Sequence, residues 1–330
     1  MGLVWFVLPM LGQPRDVLAA MPGYWISICL LLIPFSMLIV FKSAFEAVGR
    51  PWLGTAFSFV AVVVNIPLNY AMIWGLGPLP ALGLTGSGIA SLAAETVALM
   101  AAWVWWARAR SMARLRLRRP VTRAEMLATA REGAPLGALY VAETGAMAVA
   151  TVMIGTFGTV ALAGNQVAMS VGGLLYMVPL GIAGAVSIRV AQATGAGLTD
   201  TLRPIAFGGL ALALGWLSGT ALILAFAGGA IARAITDDAQ VVAVATVIFL
   251  VFATMQVADG VQSTMLGALR GMSDTGWPAW VSMTAYWGVA LPLGWVLSDW
   301  IGPAGVWAGF FVALVGAGTA LVFRFRAKTA

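Results

Sequence analysis

The sequence predicts an all-α integral membrane protein built as two related lobes. Three observations lead there. Hydrophobic residues make up 61% of the 330 and charged residues only 9%, whereas a soluble domain carries about 25% charged residues. The apolar residues come in continuous runs long enough to cross a bilayer core of about 30 Å. The chain also contains an internal repeat of multi-helix units, the mark of a secondary transporter more than of any other class. Continuous rather than alternating runs exclude a β-barrel.

Full spans are expected near residues 24–46, 54–75, 86–107, 134–157, 163–194, 204–228, 239–268, 277–298 and 303–325. Residues 1–12 form an apolar stub, read as a partial span, that ends at Gly12-Gln13-Pro14. It has neither a charged leading region nor a small-residue cleavage site and is not a signal peptide. The spans over 163–194 and 239–268 are too long to cross straight. Pro179 removes a backbone hydrogen bond from the first, so a kink is expected there. The second holds Gln256, Asp259 and Gly260 instead of a proline. Pro67, Pro135 and Pro292 are further hinge or kink candidates. GxxxG spacings at Gly133–Gly137, Gly267–Gly271 and Gly305–Gly309 allow close helix approach.

The repeat sets the organisation. AFEAVGRP near Ala44, VNIPLNY and LGLTGSGIA return as GALRGMSDTGWP near Gly267, VALPLGW and IGPAGVWAG. Gly49 falls on Gly271, Pro67 on Pro292 and Gly86 on Gly305. The long polar connection between the copies divides the chain into a truncated N-terminal lobe (1–107), a basic loop (108–132) and a six-helix C-terminal lobe (133–330). Equal repeats place the start of the first lobe roughly 90 residues before Met1, so about two and a half helices are expected to be missing.

Charge gives the orientation. The net charge is +6, and arginines from Arg108 to Arg131 crowd the basic loop. Arg324, Arg326 and Lys328 end the chain, and the spans put both regions on one side with Lys42, Arg50, Arg189, Arg203 and Arg270. Only Arg15 and Arg233 fall on the other. This asymmetry makes the loop and the C-terminus cytoplasmic in a bacterial inner membrane. The basic loop suits anionic headgroups better than nucleic acid. Cys29 lies inside an apolar span and, as the one cysteine, forms no intrachain disulfide. The chain has no histidine, which removes histidine metal sites, Ser-His and Cys-His nucleophiles and histidine proton relays. An enzyme is not expected.

Chemistry is expected at buried acids. A carboxylate at membrane depth costs several kcal/mol unless it is neutralised, paired or hydrated, so it suits exchange of a proton or capture of a small cation. Glu95, Glu143 and Asp259 lie deep in apolar runs. Tyr140 precedes Glu143 at helical spacing. Gln256 and Gln262 flank Asp259 on one helix face, where two amides with a carboxylate can complete the oxygen shell of Na+. The first copy has Met37 where the second has Asp259, so the acid pair belongs to the second copy. Met147, Met153, Met169 and Tyr176 are candidate linings of an adaptable pocket.

These residues resemble the multidrug and toxic compound extrusion (MATE) family, in its NorM-like branch. The matching stretches are GRP at 49–51, NIPLNYAMIWG at 65–75, LGLTGSGIAS at 82–91, residues 163–197, DGVQSTMLGALRGMSDT at 259–275 and residues 282–309. The resemblance implies a twelve-helix, two-lobe fold and export of cationic or lipophilic drugs by alternating access, driven by inward sodium or protons. It places Glu143 and Asp259 at the C-terminal-lobe cation site. Asn165-Gln166 stands where many relatives carry histidine before the glutamine, and both are expected to support cation or substrate contacts. No cofactor beyond the coupling ion is expected, and the protein is expected to be monomeric. A lipid-linked precursor flippase of the same superfamily and a non-transporting fragment are the alternatives.

Overall fold

A computed structural model describes residues 15–76, 80–109 and 121–330, with side chains described from residue 21. The stub expected over 1–12 and the arginine-rich stretch 110–120 lie outside the described residues. The elements are α1 (Arg15–Ala47), α2 (Pro51–Trp74), α3 (Gly83–Arg108), α4 (Arg123–Gly155), α5 (Thr159–Gly195), α6 (Leu202–Ile235), α7 (Ala239–Gly271), α8 (Gly276–Thr284), α9 (Leu291–Ile301) and α10 (Pro303–Lys328). A π-helical turn, Ala285–Ala290, joins α8 and α9 into one crossing. Among the described residues, nine segments are long and apolar enough to cross a membrane, and each expected full span is among them.

The element ends differ from expectation for local reasons. The loop expected over 108–132 is helical from Arg123 onward. Thr122 Oγ1 accepts from the Glu125 backbone N–H at 3.3 Å, and Glu125 Oε2 accepts from the Thr122 N–H at 2.9 Å. This capping box starts α4 about eleven residues before its apolar run. At about 1.5 Å per residue, a 33-residue helix is about 50 Å long, so α4 extends well beyond the hydrocarbon core. At the other end of its lobe, Asp238 Oδ1 caps α7 by accepting from Gln240 N at 2.8 Å and Val241 N at 3.3 Å.

The chain forms two compact units that divide between Pro120 and Val121. In the first, α1 and α2 pack on α3. Leu38, Phe45, Ala98 and Ala102 are buried, and the rings of Phe41, Phe57, Trp105 and Trp106 gather round Phe45, with Trp105 edge-on at 5.3 Å. In the second unit α7 is central and packs on α5, α6 and α10. The buried core there includes Phe249 and Phe252 of α7 and Trp307 and Phe310 of α10.

The repeat is visible in the packing. The pairing of α1 with α3 returns as the pairing of α7 with α10, and each pair is joined through one intervening crossing. The two matched prolines behave differently. Pro67 lies within the continuous helix α2, whereas Pro292 stands just after the π-helical turn. The Pro292 ring has no N–H and would crowd the carbonyl of Gly288, four residues back, and that residue lies inside the widened turn.

The expected GxxxG contacts also divide. A methyl group at Gly267 would sit 2.5 Å from the Ala183 carbonyl oxygen, and one at Gly271 would sit 2.5 Å from that of Ser187. Both glycines are therefore required for α5 and α7 to meet. Gly305 and Gly309 play the same part where α10 meets α9. A methyl group at Gly133 or Gly137 would meet nothing within 4 Å, so that spacing makes no close contact among the described residues.

Ions clasp one end of the second unit. Ser273 adopts φ 56° just after α7, and Asp274 N–H bonds back to the Leu269 carbonyl at 3.0 Å. The turn presents the Asp274 carboxylate to Arg324 Nε at 3.0 Å and Lys328 Nζ at 2.9 Å, both on α10. Arg203 Nη2 donates to the Arg326 carbonyl at 3.1 Å. Burial raises the Asp274 carboxyl, but the Arg324 and Lys328 hydrogen bonds and charges outweigh it and hold the group below its ordinary value of 3.8. A depressed carboxyl contributes stability that is full above 3.8 and fades as pH falls through the lower, folded-state value. Asp274→Asn should therefore lower the thermal midpoint in detergent at neutral pH. The gap to wild type should close on acidification below that range.

Candidate functional site

The central helix α7 carries a buried polar row. Gln256 and Gln262 are each 3% exposed and Asp259 is 8% exposed. Such groups persist in a lipid-solvated bundle only if neighbouring helices satisfy them. Tyr176, on α5, places its hydroxyl within hydrogen-bonding reach of both Asp259 and Ser263. Glu143, on α4, faces the same pair closely enough to act electrostatically on Asp259 and Tyr176. The structure thus brings the two predicted acids together, with a tyrosine hydroxyl between helices α5 and α7.

The flanking amides differ from each other. Gln262 Nε2 donates to Ser282 Oγ of α8 at 2.9 Å, and Tyr286 of the π-helical turn also hydrogen-bonds to Gln262. Gln256 Nε2 donates to the Gly172 carbonyl at 3.0 Å, and its buried Oε1 has no partner among the described residues. Gln256 is therefore the amide that retains an acceptor oxygen for an incoming proton donor or cation, whereas Gln262 is anchored.

Two indoles fix the frame around the acids. Trp287 Nε1, in the π-helical turn, donates to the Ala142 carbonyl at 2.9 Å, one residue before Glu143. Trp216 Nε1, on α6, donates to the Leu175 carbonyl at 3.1 Å, one residue before Tyr176. Leu175 lies four residues before Pro179, whose missing N–H leaves that carbonyl without its helical donor. Helix α5 runs on through Pro179, and the indole supplies the lost bond. The sequence marked Ser282, Tyr286 and Trp287 only as members of the matching stretch 282–309, and it gave no signal for Trp216.

A cavity of about 110 Å³ opens beside the acids, with Tyr140, Glu143, Tyr176, Gln262 and Ser263 among its lining residues. Asp259 is reached through Tyr176 and does not line it. Drug-sized pockets run to about 300–1,000 Å³, so this space suits a small cation with a few waters rather than a drug. The oxygens along it include the Glu143 carboxyl and the Tyr176 and Ser263 hydroxyls, with the Asp259 carboxyl behind Tyr176, a hard donor set suited to Na+ or to a proton.

Of the other predicted residues, Tyr140 lines the edge of the cavity and the rest lie apart. Asn165 is buried, and its Oδ1 accepts from Trp307 Nε1 at 2.8 Å. Gln166 is exposed on the surface of its unit, and its carbonyl accepts from Ser170. Tyr140 is 52% exposed at the cavity edge. Glu95 belongs to the first unit, where Lys42 is its charged neighbour and its buried Oε2 has no hydrogen bond among the described residues. Pro135 lies inside α4, continuous through it.

A membrane bundle made from repeated helical units, with acids gathered in one lobe, defines a secondary transporter fold. Comparison with known proteins supplies the family. The MatE family model matches residues 135–296. The chain is 37% identical over 281 residues to a probable multidrug resistance protein NorM of Xanthomonas axonopodis pv. citri, covering 81% of this chain and 60% of the relative. It is 36% identical over 346 residues to a probable multidrug resistance protein NorM of Deinococcus radiodurans, covering 99% of this chain and 74% of the relative. The MATE transporter VcmN of Vibrio cholerae, solved in a bent form, superposes with a TM-score of 0.86 at 19% identity, covering 99% of this chain and 74% of VcmN. The chain belongs to the MATE family. It spans 60–65% of the length of the first curated relatives it matches.

Trp307→Phe keeps the apolar contacts with Phe252 and Phe310 but leaves Asn165 Oδ1 buried and unpaired. It should lower stability by about 1–3 kcal/mol, read as a lower unfolding midpoint in detergent.

Proposed function

We propose that the whole protein is a multidrug antiporter that exports cationic or lipophilic compounds in exchange for an inward-moving cation, Na+ or H+. The observation that carries this reading is the meeting of Glu143, Tyr176 and Asp259 within the C-terminal unit, the first two lining one small cavity and Asp259 within hydrogen-bonding reach of Tyr176 behind it. Family membership supports it, as do the printed names of the relatives, which are multidrug resistance proteins. Glu143 and Asp259 hold the coupling cation, Tyr176 bridges toward Asp259, and Gln256 Oε1 supplies a neutral oxygen.

The mechanism follows from charge. Two carboxyls close together in a water-poor site favour a bound cation or proton in whichever conformation encloses them. A drug that favours the opposite-facing conformation is released as the cation enters, and each ligand weakens the other by the same coupling free energy. The cavity is too small for the drug, which must bind elsewhere in the whole protein. The arginine asymmetry supports an inner-membrane protein with residues 108–132 and the C-terminus in the cytoplasm. Small organic cations and the bilayer are the partners, and the working unit is a monomer.

Asp259→Asn removes the charge with little change of shape. In everted vesicles it should reduce ion-driven drug transport to background while leaving expression intact, and wild-type rates in that variant would refute the assignment. Imposing sodium and pH gradients separately on the wild-type protein identifies the ion: only the coupled gradient should drive uptake.

A further inference from the structure

The cavity beside Glu143 continues along one side of the α5–α7 seam. Leu180, Ala183 and Gly184 of α5 and Leu266 and Gly267 of α7 carry its wall to Arg270, the penultimate residue of α7. From Gln262 to Arg270 the helix rises about 12 Å. The deep end thus holds a carboxylate and the mouth a guanidinium. Arg270 is half-buried and held in place, its Nε donating to Ser187 Oγ of α5 at 3.1 Å. Among the described residues no carboxylate pairs with it; the nearby acid, Asp274, is engaged by Arg324 and Lys328 instead. The wall between the two charges is apolar, so little along it competes with the ends for a passing ion.

We infer that this groove is the path by which the coupling cation leaves Glu143 for the membrane face that carries the C-terminus, and that the charge of Arg270 lowers the cation affinity of the Glu143 end from that face. The inference rests on the reading of Glu143 and Asp259 as the coupling site. A fixed positive charge at the mouth raises the energy of a cation in the groove in both directions of travel, so it weakens cation binding at the Glu143 end from that face and favours release there. Arg270 is a positioning residue that touches no substrate. The Ser187 hydrogen bond keeps its charge at the mouth.

Thiol labelling tests the groove without any transport assay. In a Cys29→Ser background, Gly184→Cys places a thiol on the wall, where an added Cβ meets nothing within 4 Å. Leu266→Cys provides a second position, and Met265→Cys, fully buried, is the unreactive control. Everted vesicles are treated with an anionic or a cationic impermeant methanethiosulfonate. Both wall positions should label faster than in right-side-out vesicles, and the anionic reagent should be favoured. Arg270→Gln should lower the anionic-to-cationic rate ratio by about threefold or more, because even at about 12 Å and an effective dielectric constant of about 80 one charge shifts the two reagents' rates about 1.8-fold in opposite directions. Arg270→Lys should retain it. Arg270→Gln should also tighten the apparent cation affinity from that face about two- to tenfold, the range for one charge at about 12 Å between effective dielectric constants of 80 and 20. Labelling that ignores the charge at position 270, or that reaches neither wall position, overturns the groove even if Asp259→Asn abolishes export. Charge-dependent labelling with unchanged cation affinity overturns that role of Arg270.

Discussion

A carboxylate in the centre of a lipid-solvated bundle constrains everything built around it. Asp259 sits on α7, the helix that α5, α6 and α10 surround. Lipid offers no hydrogen bonds, so the partners of the polar row on α7 must come from neighbouring helices. The Gly172 carbonyl and Tyr176 come from α5, Ser282 from α8 and Tyr286 from the π-helical turn. The glycines of α7 serve the same end, because they let α5 approach near enough to deliver its polar groups. The indoles of Trp216 and Trp287 then hold backbone carbonyls next to Tyr176 and Glu143. Packing and chemistry here are one arrangement.

The duplicated architecture does not duplicate this site. Helix α1 stands to α3 as α7 stands to α10, yet α1 has the half-exposed Met37 at the position of Asp259. Pro67 sits in regular helix while Pro292 follows a π-helical turn. That turn carries both Tyr286 and Trp287, so the second copy's distortion is where its contacts to the site originate. π-helical turns are often found at functional sites. The two copies share a scaffold of three crossings, and among the described residues the Glu143–Asp259 pair and its hydrogen-bonded partners lie in the second.

The Asp274 clasp joins the end of α7 to the end of α10, four residues beyond Arg270. The unusual φ of Ser273 is part of that turn and costs on the order of 1–3 kcal/mol. Two cations on one carboxylate offset it. Because the clasp and the Ser187 hydrogen bond both hold the same end of α7, the charges near the mouth of the groove occupy defined positions.

The sequence by itself determined the class, the crossings and the acids. Hydropathy runs define crossings because a bilayer permits only helices or closed barrels, and the match at Gly49 and Gly271 exposed the repeat. Glu143 and Asp259 were legible because an acid in an apolar run is costly wherever the chain folds. The start of α4 was also written there, in Thr122 and Glu125, but hydropathy alone overlooks a capping box. What only the tertiary structure decided was which groups meet. Tyr176 appeared in the sequence as one of several pocket candidates, and nothing linear ties it to Asp259, 83 residues later. Gln256 and Gln262 look equivalent by spacing, yet one is anchored by Ser282 and Tyr286 while the other keeps an open oxygen. Periodicity fixes the face a side chain occupies; its partner depends on helix rotation and distance, which arise only when several helices pack at once.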